Sequence, residues 1–261
     1  MIRNGLLMLI VLIITVSAIS YFINSGLVIV AIVIVGFSLM TALIAQSNFW
    51  LHRKLDSMST DIEQLAPYLT INGLFNDAPL PFSRFAITPD TGALLVREIF
   101  YGNPENIVEF GSGLSTVIMA KCVSRLGKGH IYSVEQDKDW AERTRSLLKI
   151  HGLEAWCTVI HSEITYTPEG KWYSTDILPV LPKNIQFLFI DGPRAQDDPF
   201  IRFPALPILW DRLAKNTLIF LDDGKREGEK KIVSDWEKRF QGKINIEYLE
   251  SQRGTWLIRK V

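Results

Sequence analysis

The sequence predicts a doubly wound, Rossmann-like α/β domain preceded by a two-helix transmembrane hairpin. Three observations carry that expectation. Asn4–His52 is a 49-residue run without Asp, Glu, Lys or Arg, whereas 55 of the 209 residues from Arg53 onward are charged. From Thr88 to the end, short apolar runs alternate with amphipathic stretches, the pattern of a parallel sheet covered by helices. A Gly-Ser-Gly sequence directly follows the first of those runs, and an acid closes the second.

The leader holds two apolar stretches, residues 6–23 and 27–45. As helices they span about 27–28 Å, close to the hydrocarbon core of a bilayer. Asn24, Ser25 and Gly26 between them are turn formers and suit only a tight reversal. A cleaved signal peptide has a shorter apolar region and no second one directly behind it. Basic residues flank the hairpin at Arg3, Arg53 and Lys54, while the turn is uncharged. Positive flanks stay inside, so the expectation is a multi-pass protein of the cell (inner) membrane with both termini cytoplasmic.

Residues 1–50 form the hairpin in this reading, 51–87 a juxtamembrane helix and arm, and 88–261 the main domain. Leu51, Leu55, Met58, Ile62 and Leu65 recur at spacings of 4, 3, 4 and 3, one face of a helix expected to end before Pro67. An irregular arm is expected over residues 72–87. The body's charges nearly cancel, 27 basic against 28 acidic. That balance excludes a strongly basic nucleic-acid binder. Cys122 and Cys157 have neither CxxC nor zinc-ligand spacing and read as reduced thiols.

Within the body, Thr88-Pro89 opens a helix to about Phe100. Strands are expected at 106–110, 131–134, 157–161, 186–190 and 217–221. Helices are expected at 115–126, 139–150, 203–213 and 229–240. Residues 244–249 and 254–259 close the chain as an antiparallel hairpin. In such sheets ligands lie beyond the carboxyl ends of the strands, so the residues after each strand carry the functional reading. After the first stands Glu109-Phe110-Gly111-Ser112-Gly113-Leu114-Ser115, and after the second Glu135, 22 residues beyond Gly113. Glycines let a backbone approach a ligand, and the acid suits the hydroxyls of an adenosine ribose. A dinucleotide or S-adenosylmethionine fits. The dinucleotide fingerprint wants a small residue where Thr116 stands and has no use for an acid at Glu109, which favours S-adenosylmethionine.

Val108-Glu109-Phe110-Gly111-Ser112-Gly113 with Tyr132-Ser133-Val134-Glu135 resembles motifs I and II of class I S-adenosylmethionine-dependent methyltransferases. Phe189-Ile190-Asp191-Gly192-Pro193, Pro204-Ala205-Leu206-Pro207 and Phe220-Leu221-Asp222-Asp223 are similar to bacterial methyltransferases associated with polysaccharide synthesis. The resemblance covers roughly residues 70–261 and implies a seven-stranded sheet with an antiparallel last strand. Carried over position by position, it implies that Glu109, Gly111 and Gly113 line the methionine part of the cofactor, with Ser115 in the same set. Glu135 would hold the ribose, and Ser162 and Glu163 would lie near the adenine, although a solvated loop explains those two equally well.

The chemistry expected is methyl transfer to an oxygen of a sugar, glycan, lipid-linked glycan or other small hydroxyl acceptor. Asp191, Arg194 and His161 are the catalytic candidates, His161 reading more readily as a hydrogen-bonded structural histidine. Arg194 and Arg202 flank the loop that follows the fourth strand and either hold an acidic substrate or serve as surface salt-bridge partners. Trp172 and Tyr173 form either an acceptor wall or loop packing. Asp191, Asp222 and Asp223 resemble the Mg²⁺ ligands of animal catechol-type O-methyltransferases. Those enzymes carry Asn where Asp223 stands and Lys where Arg194 stands, and an arginine is a poor proton acceptor. Two rival readings are a catalytically silent membrane scaffold of the same fold and an NAD-dependent sugar enzyme.

Overall fold

The computed structural model describes residues 2–22, 26–75, 80, 82, 86–195 and 198–261. They fall into two compact units, residues 1–61 and 62–261.

The first unit is built from α1 (Ile2–Phe22) and most of α2 (Gly26–Glu63). Its hydroxyls find partners inside their own helices. Thr15, Ser17, Ser38 and Thr41 donate to carbonyls four residues earlier, at 2.5–2.9 Å, so they need no water along an apolar segment. Among the described residues α2 is the one helix long and apolar enough to cross a membrane; the apolar stretch described in α1, Leu9–Ile19, is shorter. The expected reversal at Asn24, Ser25 and Gly26 falls largely on residues 23–25, outside the described residues.

A juxtamembrane helix separate from the second apolar stretch was expected, and here the structure differs. α2 runs unbroken through both, because no Gly or Pro lies between Phe37 and Ala66 to stop it. The expected stop before Pro67 holds, since α2 ends at Glu63, but the chain does not stay irregular there. The chain breaks at Gln64 and a short helix α3 (Leu65–Asn72) includes the proline. Pro67 sits in the first turn of α3, where a missing N–H costs no intrahelical bond.

In the second unit α4 (Pro89–Gly102) precedes the sheet. Five strands run parallel: β1 (Asn106–Phe110), β2 (His130–Glu135), β3 (Cys157–His161), β6 (Ile185–Ile190) and β7 (Leu213–Leu221). Between β3 and β6 lies a separate hairpin, β4 (Ile164–Thr167) with β5 (Gly170–Tyr173). β8 (Ile244–Leu249) and β9 (Thr255–Lys260) close the chain. The seven-stranded order is β3-β2-β1-β6-β7-β9-β8, with β9 antiparallel to both its neighbours. The last strand is thus inserted between β7 and β8. α5 (Leu114–Leu126), α6 (Lys138–Ile150) and α8 (Glu227–Arg239) are the longer crossover helices. The helix expected over 203–213 is reduced to α7 (Ala205–Leu209) and a 3-10 turn, so β7 begins four residues early. Prolines at 204 and 207 leave that segment few N–H donors for a longer helix.

Alternate residues of the central strands feed two cores. Ile107, Phe187, Phe189 and Phe220 pack with α4 and α5 on one face. Val108, Phe110, Leu188, Ile190 and Ile219 pack with Trp236 of α8 on the other. Burying each such side chain contributes about 1.5–3 kcal/mol. Cys122 and Cys157 are buried and unpaired; burial pushes the Cys122 thiol up to about 12 and raises that of Cys157 as well.

Register places the site. Phe110, Val134, Ile190 and Leu221 stand level across four strands. The residues that follow them, Gly111, Glu135, Asp191 and Asp222, therefore emerge at one edge of the sheet. β1 and β6 are neighbours here although β2 and β3 lie on the other side of β1, so this edge is the point where strand order reverses.

Candidate active site at the carboxyl edge of the sheet

A cavity of about 530 Å³ opens at this edge, with Gly111, Ser112, Glu135, Trp140, Tyr173 and Asp191 in its lining. That volume is within the range of small-molecule sites. Two glycines form its floor. Gly111 has φ +96°, and a Cβ on it would lie 2.8 Å from the amide nitrogen of Gly192; a Cβ on Gly192 would meet the Tyr173 hydroxyl at 2.6 Å. Any side chain at either position would displace backbone. The amides of Asp191 and Gly192 both donate to the Phe110 carbonyl, at 2.9 and 2.7 Å, which ties the two loops together.

Glu135 faces the cavity from the end of β2. Its carboxylate accepts the Ser112 amide at 2.9 Å and the Asp137 amide at 2.8 Å. Burial raises its pKa against those bonds. Trp140, three residues into the helix capped by Asp137, donates its indole N–H to the Ser112 carbonyl at 2.7 Å and supplies a wall. Gln136, also in the lining, has a buried side-chain oxygen without a hydrogen-bond partner.

Several expected cofactor contacts are placed elsewhere. Glu109 is fully buried behind the floor, where it accepts the hydroxyls of Ser115, Thr116 and Ser133, each at 2.5 Å. Burial pushes its carboxyl up to about 7. Ser133 is linked at 2.7 Å to Ser112, so Glu109 and Ser115 support the glycine loop from within and do not line the cavity. The reason is geometric: side chains alternate along β1, so Glu109 shares the face of Ile107 beneath α5, whose Ser115 and Thr116 meet it there. Gly113 is extended at φ 167°, and a Cβ there would meet only the Trp140 indole nitrogen at 3.6 Å. Ser162 is buried with an unpartnered hydroxyl, Glu163 is exposed, and neither borders the cavity. His161 is exposed and meets the Gln136 carbonyl at 3.2 Å, outside the cavity, which removes it as a candidate base.

The other half of the cavity is ionic. Arg202, 2% exposed, sits among the acids at the ends of β6 and β7. Its guanidinium bonds the Asp191 carbonyl and lies 3.3 Å from the Asp191 carboxylate, 3.1 Å from Asp223 and 3.3 Å from Glu229. It also donates to the Asp222 carbonyl at 3.1 Å. Arg226 adds a second ion pair to Asp223 at 2.7 Å. Burial pushes the Asp191 carboxyl up to about 7, against the pull of Arg202.

The expected metal triad does not fit this arrangement. Asp222 is fully buried, both its oxygens lack a hydrogen-bond partner, and burial beside Asp191 raises its pKa well above the ordinary range. Asp191 and Asp223 already hold a guanidinium. Among the described residues no cluster of three His, Cys, Asp or Glu has the geometry to hold a metal ion. The cation those carboxylates require is Arg202.

Trp172 and Tyr173 divide the two readings made for them. Trp172 is buried against Phe110, ring centroids 4.9 Å apart. Tyr173 lines the cavity, with its hydroxyl buried and without a hydrogen-bond partner. Arg194 also lies on the lining and is exposed. Sequence reasoning missed Gln136, Trp140, Arg226 and Arg253 as lining residues. Only Trp140 had a signal, its place in the first turn of the helix after Glu135.

This strand order, with a glycine turn after β1 and a cavity-facing acid after β2, defines the class I S-adenosylmethionine-dependent methyltransferase fold. Residues 108–224 match a family model described as a methyltransferase domain. Solved structures of similar fold include a methyltransferase from Geobacter sulfurreducens, 20% identical, covering 68% of this chain and 81% of that one at a TM-score of 0.53. An O-methyltransferase from Bacillus cereus in complex with SAH is 17% identical, with coverage of 80% and 97% and a TM-score of 0.54. An SAH-bound methyltransferase from Podospora anserina is 16% identical, with coverage of 80% and 96% and a TM-score of 0.58. At these identities the likeness is one of fold. No curated protein sequence matches the chain.

Proposed function

We propose that the chain is a membrane-anchored, cytosol-facing methyltransferase that moves a methyl group from S-adenosylmethionine to a hydroxyl of a sugar, glycan or lipid-linked acceptor. The observation that carries the reading is the pairing of Glu135 with the Gly111 loop on one half of the cavity and Asp191 on the other. The Bacillus cereus and Podospora anserina proteins of this fold hold SAH, and the glycan acceptor comes from the sequence resemblance alone. When bound, S-adenosylmethionine supplies a methyl group on a cationic sulfonium.

The chain's own residues account for the rest. Glu135 retains lone pairs beyond those used by the Ser112 and Asp137 amides, enough to accept the two ribose hydroxyls. The Gly111 and Gly192 backbones leave room for a ligand to lie against the floor. Asp191 takes the proton of the acceptor hydroxyl, and Arg202 holds that carboxylate in place. Alignment of donor and acceptor in a closed cleft supplies the remaining acceleration. Incubating the full chain in detergent with S-adenosylmethionine labelled in the methyl group and a glycan or membrane extract tests the reading. Transfer of label to a hydroxyl is expected, and no binding of S-adenosylmethionine at all would remove it.

Glu135→Ala should lower affinity for S-adenosylmethionine at least about tenfold, since each charge-assisted hydrogen bond lost is worth roughly 1.5–3 kcal/mol before water substitutes. Titration calorimetry reads the change, and a variant that binds as tightly as the parent would place the ribose elsewhere. Membrane placement is supported by the length of α2 and by the basic flanks. A reporter fused after Val261 should be active on the cytoplasmic side; activity confined to the opposite face would reverse the orientation.

A further inference from the structure

We infer that the Tyr173 hydroxyl donates a hydrogen bond to the acceptor atom beside Asp191, so that the two residues together select a hydroxyl, and not an amine, for methylation. This rests on the methyltransferase reading and names the acceptor chemistry of the same site. Tyr173 ends β5 and is 1% exposed, yet it borders the cavity. Its ring is held by packing, tilted on Phe110 with centroids 5.2 Å apart and edge-on to Trp172 at 5.1 Å. A phenylalanine would make those contacts equally well. The hydroxyl is therefore the part that packing does not call for. Among the described residues it has no hydrogen-bond partner, and a buried polar group left in that state is destabilising.

Its place in the cavity limits what the partner can be. The point that a Cβ on Gly192 would occupy lies 2.6 Å from the Tyr173 hydroxyl and 2.9 Å from Cα of Gly111. The hydroxyl thus stands where the loops after β1 and β6 meet, against the residue that follows Asp191. Burial first, with Glu135 and Asp191 adding to it, raises its pKa well above the ordinary phenol range. The group keeps its proton and serves as a donor. The Asp191 carboxylate, by contrast, only accepts. A ligand atom set between them accepts from one and donates to the other. A hydroxyl does both and keeps a lone pair in reserve. Its oxygen accepts from Tyr173 through one lone pair and gives its proton to the Asp191 carboxylate. The second lone pair forms the bond to the methyl carbon, while the electron pair of the broken S–C bond returns to sulfur. A neutral amine has a single lone pair. Once bonded to Tyr173, that pair is unavailable for attack.

The test uses the full chain in nonionic detergent, S-adenosylmethionine labelled in the methyl group, and a glycan or membrane extract. Product analysis should find the label on oxygen. Tyr173→Phe should transfer it about 10–100-fold more slowly, the worth of one hydrogen bond to a charging group, with SAH affinity by calorimetry within about twofold of the parent. The acidic limb set by Asp191 should persist in the variant at a lower plateau, because the base is untouched. A fluorotyrosine at 173 keeps the shape of the side chain and changes only the acidity of its hydroxyl. It should shift the rate by about twofold or more, and it stands in if the phenylalanine variant does not fold. Transfer at the parent rate in Tyr173→Phe overturns the inference, as does an unshifted rate where fluorotyrosine stands in. So does label on nitrogen. Loss of the acidic limb would make Tyr173 the base, and a fall of about tenfold in SAH affinity would give its hydroxyl to the cofactor; either overturns the inference. A parent that labels nothing removes the methyltransferase reading, and this inference with it, before any variant is made.

Discussion

Replacing Arg202 with methionine is expected to cost the body about 3–5 kcal/mol, the usual penalty for stripping buried charges of a partner they share. Asp191, Asp223 and Glu229 lie within 3.3 Å of that one guanidinium, and methionine fills most of its volume while restoring none of its charge. For a unit of 200 residues this corresponds to a fall in melting temperature of roughly 6–20 °C. Thermal unfolding followed by near-ultraviolet circular dichroism measures it. Pairing the change with Asp191→Asn should recover part of the loss, because one of the stranded carboxylates disappears. A methionine variant that melts within a degree or two of the parent would show that the acids shed their charge by protonation and have little need of the arginine.

Asp191→Asn is expected to slow methyl transfer by about 10²–10⁴-fold, the range that a positioned base contributes, with S-adenosylmethionine affinity kept. The substitution preserves shape and leaves Arg202 two other carboxylates, so the fold should survive. The pH profile separates a base from a mere anchor. With the Asp191 carboxyl pushed up to about 7, the proton-accepting form is the charged one. The parent rate should therefore fall about tenfold per unit as pH drops below 7 and level off above it. The asparagine variant should lack that limb. Exhaustive chelation should leave the parent rate unchanged, and recovery of a chelated, inactive enzyme by Mg²⁺ would return the carboxylates to a metal.

Most of the frame was legible because central parallel strands covered on both faces read as apolar runs, as at Phe187–Ile190 and Leu218–Leu221. The half of the cavity at Gly111 and Glu135 was legible for a similar reason: an edge position is fixed by where a strand ends, and both residues stand at the ends of theirs. Glu109 and Ser115 escaped because motif position says nothing about which way a side chain points. The β4–β5 hairpin escaped although Thr167-Pro168-Glu169-Gly170 is a good turn sequence; its strands are four residues each, too short for alternation to show. The role of Arg202 was invisible in principle. Its partners at 191, 223 and 229 are set by the way β6, β7 and α8 pack, and no spacing along the chain encodes them. α2 was divided wrongly because the boundary of an apolar segment was taken for the boundary of a helix. Charge marks where a lipid ends, whereas backbone hydrogen bonding continues until glycine, proline or a lost partner stops it.

The two sequestered thiols have a practical side. A thiol whose pKa stands near 12 presents almost no thiolate at neutral pH, and neither Cys122 nor Cys157 reaches the surface. The native chain therefore behaves toward maleimides and nitroxide reagents almost as a cysteine-free protein. A single cysteine introduced at the outward-facing tip of the β4–β5 hairpin, Tyr166→Cys for example, would carry a fluorophore or spin label alone, with no native residue to delete first. Distances from that label to a second one on α2 would measure how the hairpin stands to that helix.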